Sequence, residues 1–584
     1  MLRTRRLSRA GRFRAWCIGA LLLAILAGAG ACGEELSFTK ALAPGVLLKQ
    51  TIAKRNPNPL VINVLEVDPS APGIRIECVP ARPQNGGTST RRETISSIAS
   101  RTSCLAAVNA SFFTTTGDTI GLAISNGELL SNPYPNRVCV GWTSDRRMLV
   151  DFVTMTASAR LGEVSMPIAG INRARKRGEL VLYTPSYGPT TLTDAAGSEA
   201  VLTGVRLPLR AGETSGVVSL VRTYAGRCPI PPDGLVLSGA GAAGDPIRRL
   251  KPGDKVDLSI ALKGSDGASW DEVTNAVCGG PYVVKGGQAY IDLAAEGFAP
   301  SFGAARHPRT LLGITQSGKL LIVTIDGRQS ISAGITLQEA ARLMLNLGAV
   351  TAVNLDGGGS TTLAVRGMVV NSPSGGKERP VTNALAIWSA EGQPQPPVQI
   401  SVEPASATVA SDTVLPFAVR AADASGSAVE VDPKDIVWGV KGGIGFVNQN
   451  GEFTGIKVGT GTVQAWVRGA TAAANVTVAP GRPASLTAKV SPDPQDPLRF
   501  RVTAVVLDAN ANPVPGAVVT FSASSGAQAV PSQIQTGPDG TAWADVCWAS
   551  DAVRRTVVVA CPGLAPVTVT AAGKPAAIPS APHS

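Results

Sequence analysis

Asp326 and Asp356 each close an apolar run and are each followed by glycine, in Thr324-Ile325-Asp326-Gly327-Arg328 and Asn354-Leu355-Asp356-Gly357-Gly358-Gly359-Ser360-Thr361. A strand that ends in an acid and then loses its side chains is a place where a ligand can meet bare backbone. Arg309 and Arg328 lie close to these acids in the sequence. Arginine forks bind phosphate or carboxylate oxygens bidentately, and paired carboxylates are the usual machinery for cleaving a glycosidic bond. A sugar joined to a phosphate would use both halves, whereas the bland alternative is a structural ion-pair cluster. A nucleotide P-loop is excluded because no lysine follows the glycines, and a dinucleotide fingerprint is excluded because the glycines are consecutive.

The elements that must position these groups are legible. Lys319 to Ile325 is a nearly unbroken apolar run that reads as a strand buried on both faces. Thr336 and Glu339 form a capping box, and Leu337, Ala340, Ala341, Met344 and Leu345 repeat at helical spacing until Gly348. This predicts a helix from about Leu337 to near Leu347, linking two parallel strands in a right-handed β-α-β crossover. Asp326 and Asp356 would then emerge on one sheet edge. Gln316-Ser317-Gly318 predicts a hairpin between Thr310 to Thr315 and the Lys319 strand; pairing Thr315 with Lys319 sets Arg309 opposite Ile325.

The segments Arg306 to Thr315, Asp326-Gly327-Arg328-Gln329, Asn354 to Thr362 and Arg379-Pro380-Val381-Thr382-Asn383-Ala384 resemble the phosphodiester glycosidase family. So do Ala107 to Phe113, Gly121-Leu122 with Asn126-Gly127-Glu128, and Gly279 to Lys285. The resemblance spans about residues 45 to 390; Ser111 departs from it, where the family often has glycine. It implies an α+β catalytic domain with a mixed sheet that hydrolyses a sugar 1-phosphodiester and leaves a phosphomonoester. The implied catalytic residues are Asp326, Asp356, Arg309 and Arg328. Asn109, Thr310, Asn354, Gly357, Gly358, Gly359, Ser360 and Thr361 would bind substrate. Phosphate is a weakly basic leaving group, so stabilising the departing anion matters more than a general acid. Arg309 and Arg328 would hold it, one aspartate would act at the anomeric carbon and the other would steady the positive ring. Asn109 is read as a ligand for sugar hydroxyls, while Phe112 and Phe113 read as core and His307 as an exposed loop residue. No His/Cys cluster at zinc spacing exists, so no metal site and no cofactor is expected, although two aspartates would also suit an oxygen-ligated divalent cation.

Residues 1–14 hold six arginines and no acid, and an apolar, small-residue run reaches Ala31, so 1–31 reads as a secretion signal. Cleavage before Cys32 would give a lipid-anchored form. Without the six arginines of the signal, the formal charge of +11 falls to +5, too modest and too scattered for nucleic acid. It would favour a phosphate-linked envelope glycan as partner. Cys547 and Cys561 lie in neighbouring strand-like runs suited to pairing, and Cys78, Cys104, Cys139, Cys228 and Cys278 form an odd set of undefined connectivity.

The catalytic domain is placed at 32–391, with an insertion at about 160–265. Residues 392–397 form a Pro-rich linker, and 574–584 a disordered tail. Residues 398–480 show the short alternating strands of an Ig-like β-sandwich. Residues 483–573, through Asp508 to Phe521 and Gly537 to Ala542, resemble the bacterial Ig-like domains of invasin-type adhesins. Such sandwiches serve as spacers or surface attachments. The competing whole-protein reading is a non-catalytic glycan-binding envelope adhesin, which would have little need for paired carboxylates beside two arginines.

Overall fold

The computed structural model describes residues 35–53, 58–82, 91–390, 398–496, 498–524, 526–548 and 555–571. The signal, Cys32, the 392–397 linker and the 574–584 tail lie outside the described residues.

The N-terminal part is mostly β. Its central sheet has eight strands, in the order 35–43, 46–53, 60–67, 320–325, 309–315, 349–354, 282–285 and 288–289. The expected hairpin register is present, with Arg309 opposite Ile325 and the Thr315 N–H donating to the Lys319 carbonyl. The capping box is complete, and the helix runs Leu337–Asn346. Its buried stripe of Leu337, Ala340, Ala341 and Met344 packs on Leu311, Val323 and Ala352, as the 3.6-residue period requires.

This central sheet is not the mixed sheet that was expected around the crossover, although a separate twelve-stranded sheet does hold a parallel pair, Gly170–Ile171 with Leu180–Tyr183. The two crossover strands run in the same direction and end on one edge, but Arg309–Thr315 lies between them and pairs antiparallel with both. Every neighbouring pair in this sheet is antiparallel. The physical reason is the short hairpin: it forces Arg309–Thr315 beside Leu320–Ile325, and its free edge is the one to which the crossover returns.

A five-stranded sheet of 368–369, 363–365, 106–109, 383–388 and 75–80 covers the other face. Leu48, Leu65, Leu312, Ile322 and Val353 of the first sheet meet Val108, Leu363, Leu385 and Ile387 of the second in one core. The stretch read as an insertion contributes strands to a twelve-stranded sheet with its own core, and that sheet continues into 123–161 and 273–278. Cys139 and Cys278, opposite one another on adjacent strands, form a disulfide. Cys547 and Cys561 are both free, contrary to the pairing expected for them.

Two all-β modules follow. Residues 399–479 form three small sheets around Val402, Phe417, Trp438 and Phe453. Residues 485–570 form two four-stranded sheets enclosing Phe500, Val519, Val546 and Trp548. No helix among the described residues is long and apolar enough to cross a membrane.

Candidate active site

The strands Leu320–Ile325, Ala349–Asn354 and Ala106–Asn109 all end at one edge, where their loops interlock. The Asp356 N–H donates to the Ala110 carbonyl at 2.9 Å, and the Gly358 N–H to the Pro308 carbonyl at 2.9 Å. Gly357 lies so close to Pro308 that a Cβ there would stand 2.8 Å from its carbonyl oxygen. The glycines therefore let the Asp356 turn settle against the Arg309 strand.

Asp356 is partly exposed in this turn. Burial raises its carboxyl to about 6, against the opposing effects of the Ser360 hydroxyl, the Arg379 charge and the Gly357 N–H. Gly358 to Ser360 form one turn of 3-10 helix. Two exposed arginines flank that turn. A Cβ on Gly358 would lie 3.3 Å from both terminal nitrogens of Arg328, and one on Gly359 would collide with Nη2 of Arg379. Arg379 Nη1 also donates to Ser360 Oγ at 3.4 Å. Arg328 holds φ at +60°, a left-handed conformation uncommon outside glycine and a mark of stored strain at functional sites. His307 Nδ1 sits 3.3 Å from Arg328 Nη2. Burial, then the charges of Arg328 and Arg309, lower the His307 pKa.

Asp326 is 1% exposed. Its Oδ1 accepts from Asn371 Nδ2 at 2.8 Å and its Oδ2 from the Ser372 N–H at 2.9 Å. Burial nevertheless raises it to about 7, because two hydrogen bonds do not replace the hydration a carboxylate loses.

Several expected substrate ligands turn inward. Asn109 is fully buried; its Nδ2 donates to the Asp356 carbonyl at 2.6 Å, and its Oδ1 accepts from Thr310 Oγ1 and the Thr362 N–H. The expected contact with sugar hydroxyls is thus replaced by a scaffold contact that fixes the Asp356 backbone. Thr310, Thr361 and Asn354 are equally buried, with Asn354 Nδ2 donating to the Gly280 and Leu355 carbonyls. Arg309 also departs from its expected role as anion clamp. Its guanidinium donates to the carbonyls of Phe302, Ala305 and Ile335 and lies 4.7 Å from the centre of the Phe302 ring. Burial, and then Arg328, lowers its pKa to about 10. The side chain is held inward by these three carbonyl contacts and by the Phe302 ring.

Sequence reasoning passed over Arg379, Asn371, Ser372 and His307. Arg379 lay inside the Arg379 to Ala384 motif and His307 inside the Arg306 to Thr315 motif, so a signal existed for both; Asn371 and Ser372 carry no local signal. Phe112, Phe298 and Phe302 cluster with ring centroids 4.7 to 6.5 Å apart, all partly exposed, beside the Arg309 guanidinium. Phe112, read as core, thus belongs to an aromatic wall at this edge.

An acid in a glycine turn between two exposed arginines presents both a carboxylate and cationic groups suited to an anion. Residues 213–388 match the phosphodiester glycosidase family. One relative is the SPbeta prophage-derived uncharacterized protein YomE of Bacillus subtilis (strain 168), 44% identical over 82 residues, 14% of this chain and 13% of that protein. Another is the N-acetylglucosamine-1-phosphodiester alpha-N-acetylglucosaminidase of Bos taurus, 41% identical over 66 residues, 11% of this chain and 12% of that enzyme. The chain thus spans only a small share of either relative's length. A candidate exported protein of Burkholderia pseudomallei K96243 shares the fold, with a TM-score of 0.51 at 21% identity over 61% of this chain and 96% of that one.

Proposed function

We propose that this protein is an exported glycosidase that hydrolyses a sugar 1-phosphodiester in an envelope or extracellular glycan and leaves a phosphomonoester. The observation that carries the reading is Asp356, poised near neutral pH beneath the exposed Arg328 and Arg379 guanidiniums. The arginines bind the phosphate and stabilise it as it leaves, in geometry the Gly358 to Ser360 turn keeps open. Asp356, once ionised, supplies the carboxylate at the anomeric carbon. Asp326, ionised above about 7, steadies the positive charge that grows on the ring, across a low-dielectric interior. The aromatic wall offers an apolar face for the sugar. The two C-terminal modules are proposed to be Ig-like, and the 485–570 module to set the enzyme's distance from a surface, with lipid attachment at Cys32 as a further anchor.

The test is turnover by the purified full chain on a panel of sugar 1-phosphodiesters, following the phosphomonoester by phosphorus NMR, with Asp356→Asn as control. Release of phosphomonoester that Asp356→Asn abolishes is the expected result. Binding of the glycans without turnover would favour the adhesin reading, and an active Asp356→Asn would remove the assignment of that residue. Chelation with EDTA is expected to leave the rate unchanged; a loss restored by a divalent cation would place a metal at the aspartates.

A further inference from the structure

The 399–479 module does not hang from the catalytic domain; its side chains enter that domain's core. Val437 is part of the cluster formed by Leu312, Leu363 and Leu385, and Trp466 packs against it with the Arg366 guanidinium 5.3 Å from its ring centre. Phe446, 5% exposed, packs with Ile52 and Val61. Lys40 Nζ donates to the module's Pro433 carbonyl at 2.9 Å and also to that of Ile436. Burial is the main cause lowering this ammonium to about 8.

The Phe446 contact, and a further one at Gly439, lead to Asp326. Val61, beneath Phe446, accepts from the Asp326 N–H at 3.0 Å, and its own N–H donates to Ser332 Oγ, which in turn donates to the Asp326 carbonyl at 2.6 Å. On the other side, Gly439 of the module lies against the Met368–Val369 strand, where a Cβ would stand 2.6 Å from the Val369 carbonyl oxygen. That strand runs straight on to Asn371 and Ser372, the two donors to the Asp326 carboxyl. Gln329 ties the two sides together, donating to the Ser372 carbonyl and accepting from its hydroxyl at 2.8 and 2.9 Å.

We infer that the 399–479 module is a positioning element of the active site, clamping both segments that hold Asp326, and is not a passive spacer. Its effect on turnover rests on the proposed role of Asp326, whereas its effect on the hydrogen bonds of Asp326 does not. Contacts that lock a group's surroundings are what preorganised sites require, and a released segment opens locally long before the domain unfolds.

Gly439→Val tests this. The residue is in a strand with an ordinary φ, so valine suits the module's own fold but wedges it off Val369. Hydrogen exchange in peptides covering 324–332 and 366–374 is expected to rise by about tenfold, with 500–546 unchanged. Turnover of whichever phosphodiester of the panel is cleaved should fall through kcat more than KM, and the upper of the two pH steps should move to lower pH as water reaches Asp326. Faster exchange across 437–441 with 324–332 and 366–374 protected as in the wild type would overturn the inference. Phe446→Ala, which releases the Val61 side without a wedge, gives the same readout if Gly439→Val does not accumulate as folded protein. A chain inactive on every phosphodiester would remove the proposed reaction, and exchange would still decide the clamp.

Discussion

At the scale of single residues, the site separates a buried arginine held by backbone carbonyls from two exposed arginines beside the Asp356 turn. Arg309 gives its donors to three carbonyls, so Arg309→Ala should destabilise the domain by about 2 to 4 kcal/mol in denaturant unfolding, through lost hydrogen bonds and a lost buried side chain. Arg379 faces the turn, so Arg379→Ala should leave the unfolding midpoint unchanged and lower kcat/KM by about a hundredfold, the scale of one lost charge-stabilising donor. Gly359→Ala should resemble Arg379→Ala, because its Cβ displaces only the far end of that side chain. The aspartates predict the pH dependence. If both must be ionised, kcat/KM rises with pH through about 6 and again through about 7, then levels off; a maximum that falls away above 7 would contradict this. Stability has the opposite sign. The folded chain keeps the Asp326 proton up to about 7 while the unfolded chain releases it near 3.8, so that contribution is complete below 3.8 and is lost as the pH rises through 7. The fall in Tm between pH 5 and 8 should therefore be smaller in Asp326→Asn than in the wild type.

At the scale of elements, the crossover helix is the spacer that brings both aspartates to one edge. Thr336 caps it by accepting from the Glu339 N–H, and Glu339 answers by accepting from the Thr336 N–H and by pairing with Arg306. Arg306 also donates to the Gly334 carbonyl, so the cap is tied to the loop that carries Arg328. Thr336→Ala should cost about 1 kcal/mol in denaturant unfolding, with kcat/KM changed far less than in Arg379→Ala. The helix sits close to the sheet at Gly313, where a Cβ would collide with the Met344 methyl. The glycine in an otherwise apolar strand thus reflects packing against a helix and not a turn.

At the scale of the whole molecule, the two C-terminal modules have different relations to their neighbours. The first shares a core with the catalytic domain, whereas the second meets the first through a small polar joint. Asn512 Nδ2 donates to Ser411 Oγ and the Ile456 carbonyl at 3.1 and 2.7 Å, and its Oδ1 accepts from the Val458 N–H. Asp508 accepts from the Gly481 N–H at 2.9 Å. Asn512→Ala should loosen this joint, increasing the radius of gyration and the spread of small-angle scattering profiles, with turnover unchanged. Rigid scattering in that variant would show that the joint is held by something other than Asn512.

The sequence by itself determined the local events: the hairpin register, the capped helix, and the ends of the two strands at Asp326 and Asp356. Each follows from residues within about one helix or hairpin of one another, through period, capping and turn chemistry. Tertiary structure decided what those local rules cannot reach. The position of Arg309–Thr315 between the crossover strands made the sheet antiparallel, because a strand takes whichever edge its hairpin leaves open. The same packing turned Arg309 and Asn109 inward and brought Arg379, 23 residues beyond Asp356, against Gly359. It also brought Asn371 and Ser372 to Asp326, under a module whose Phe446 and Gly439 lie far along the chain. Burial, which moves both aspartates toward neutral pH, belongs to these long-range contacts and is written in no single motif.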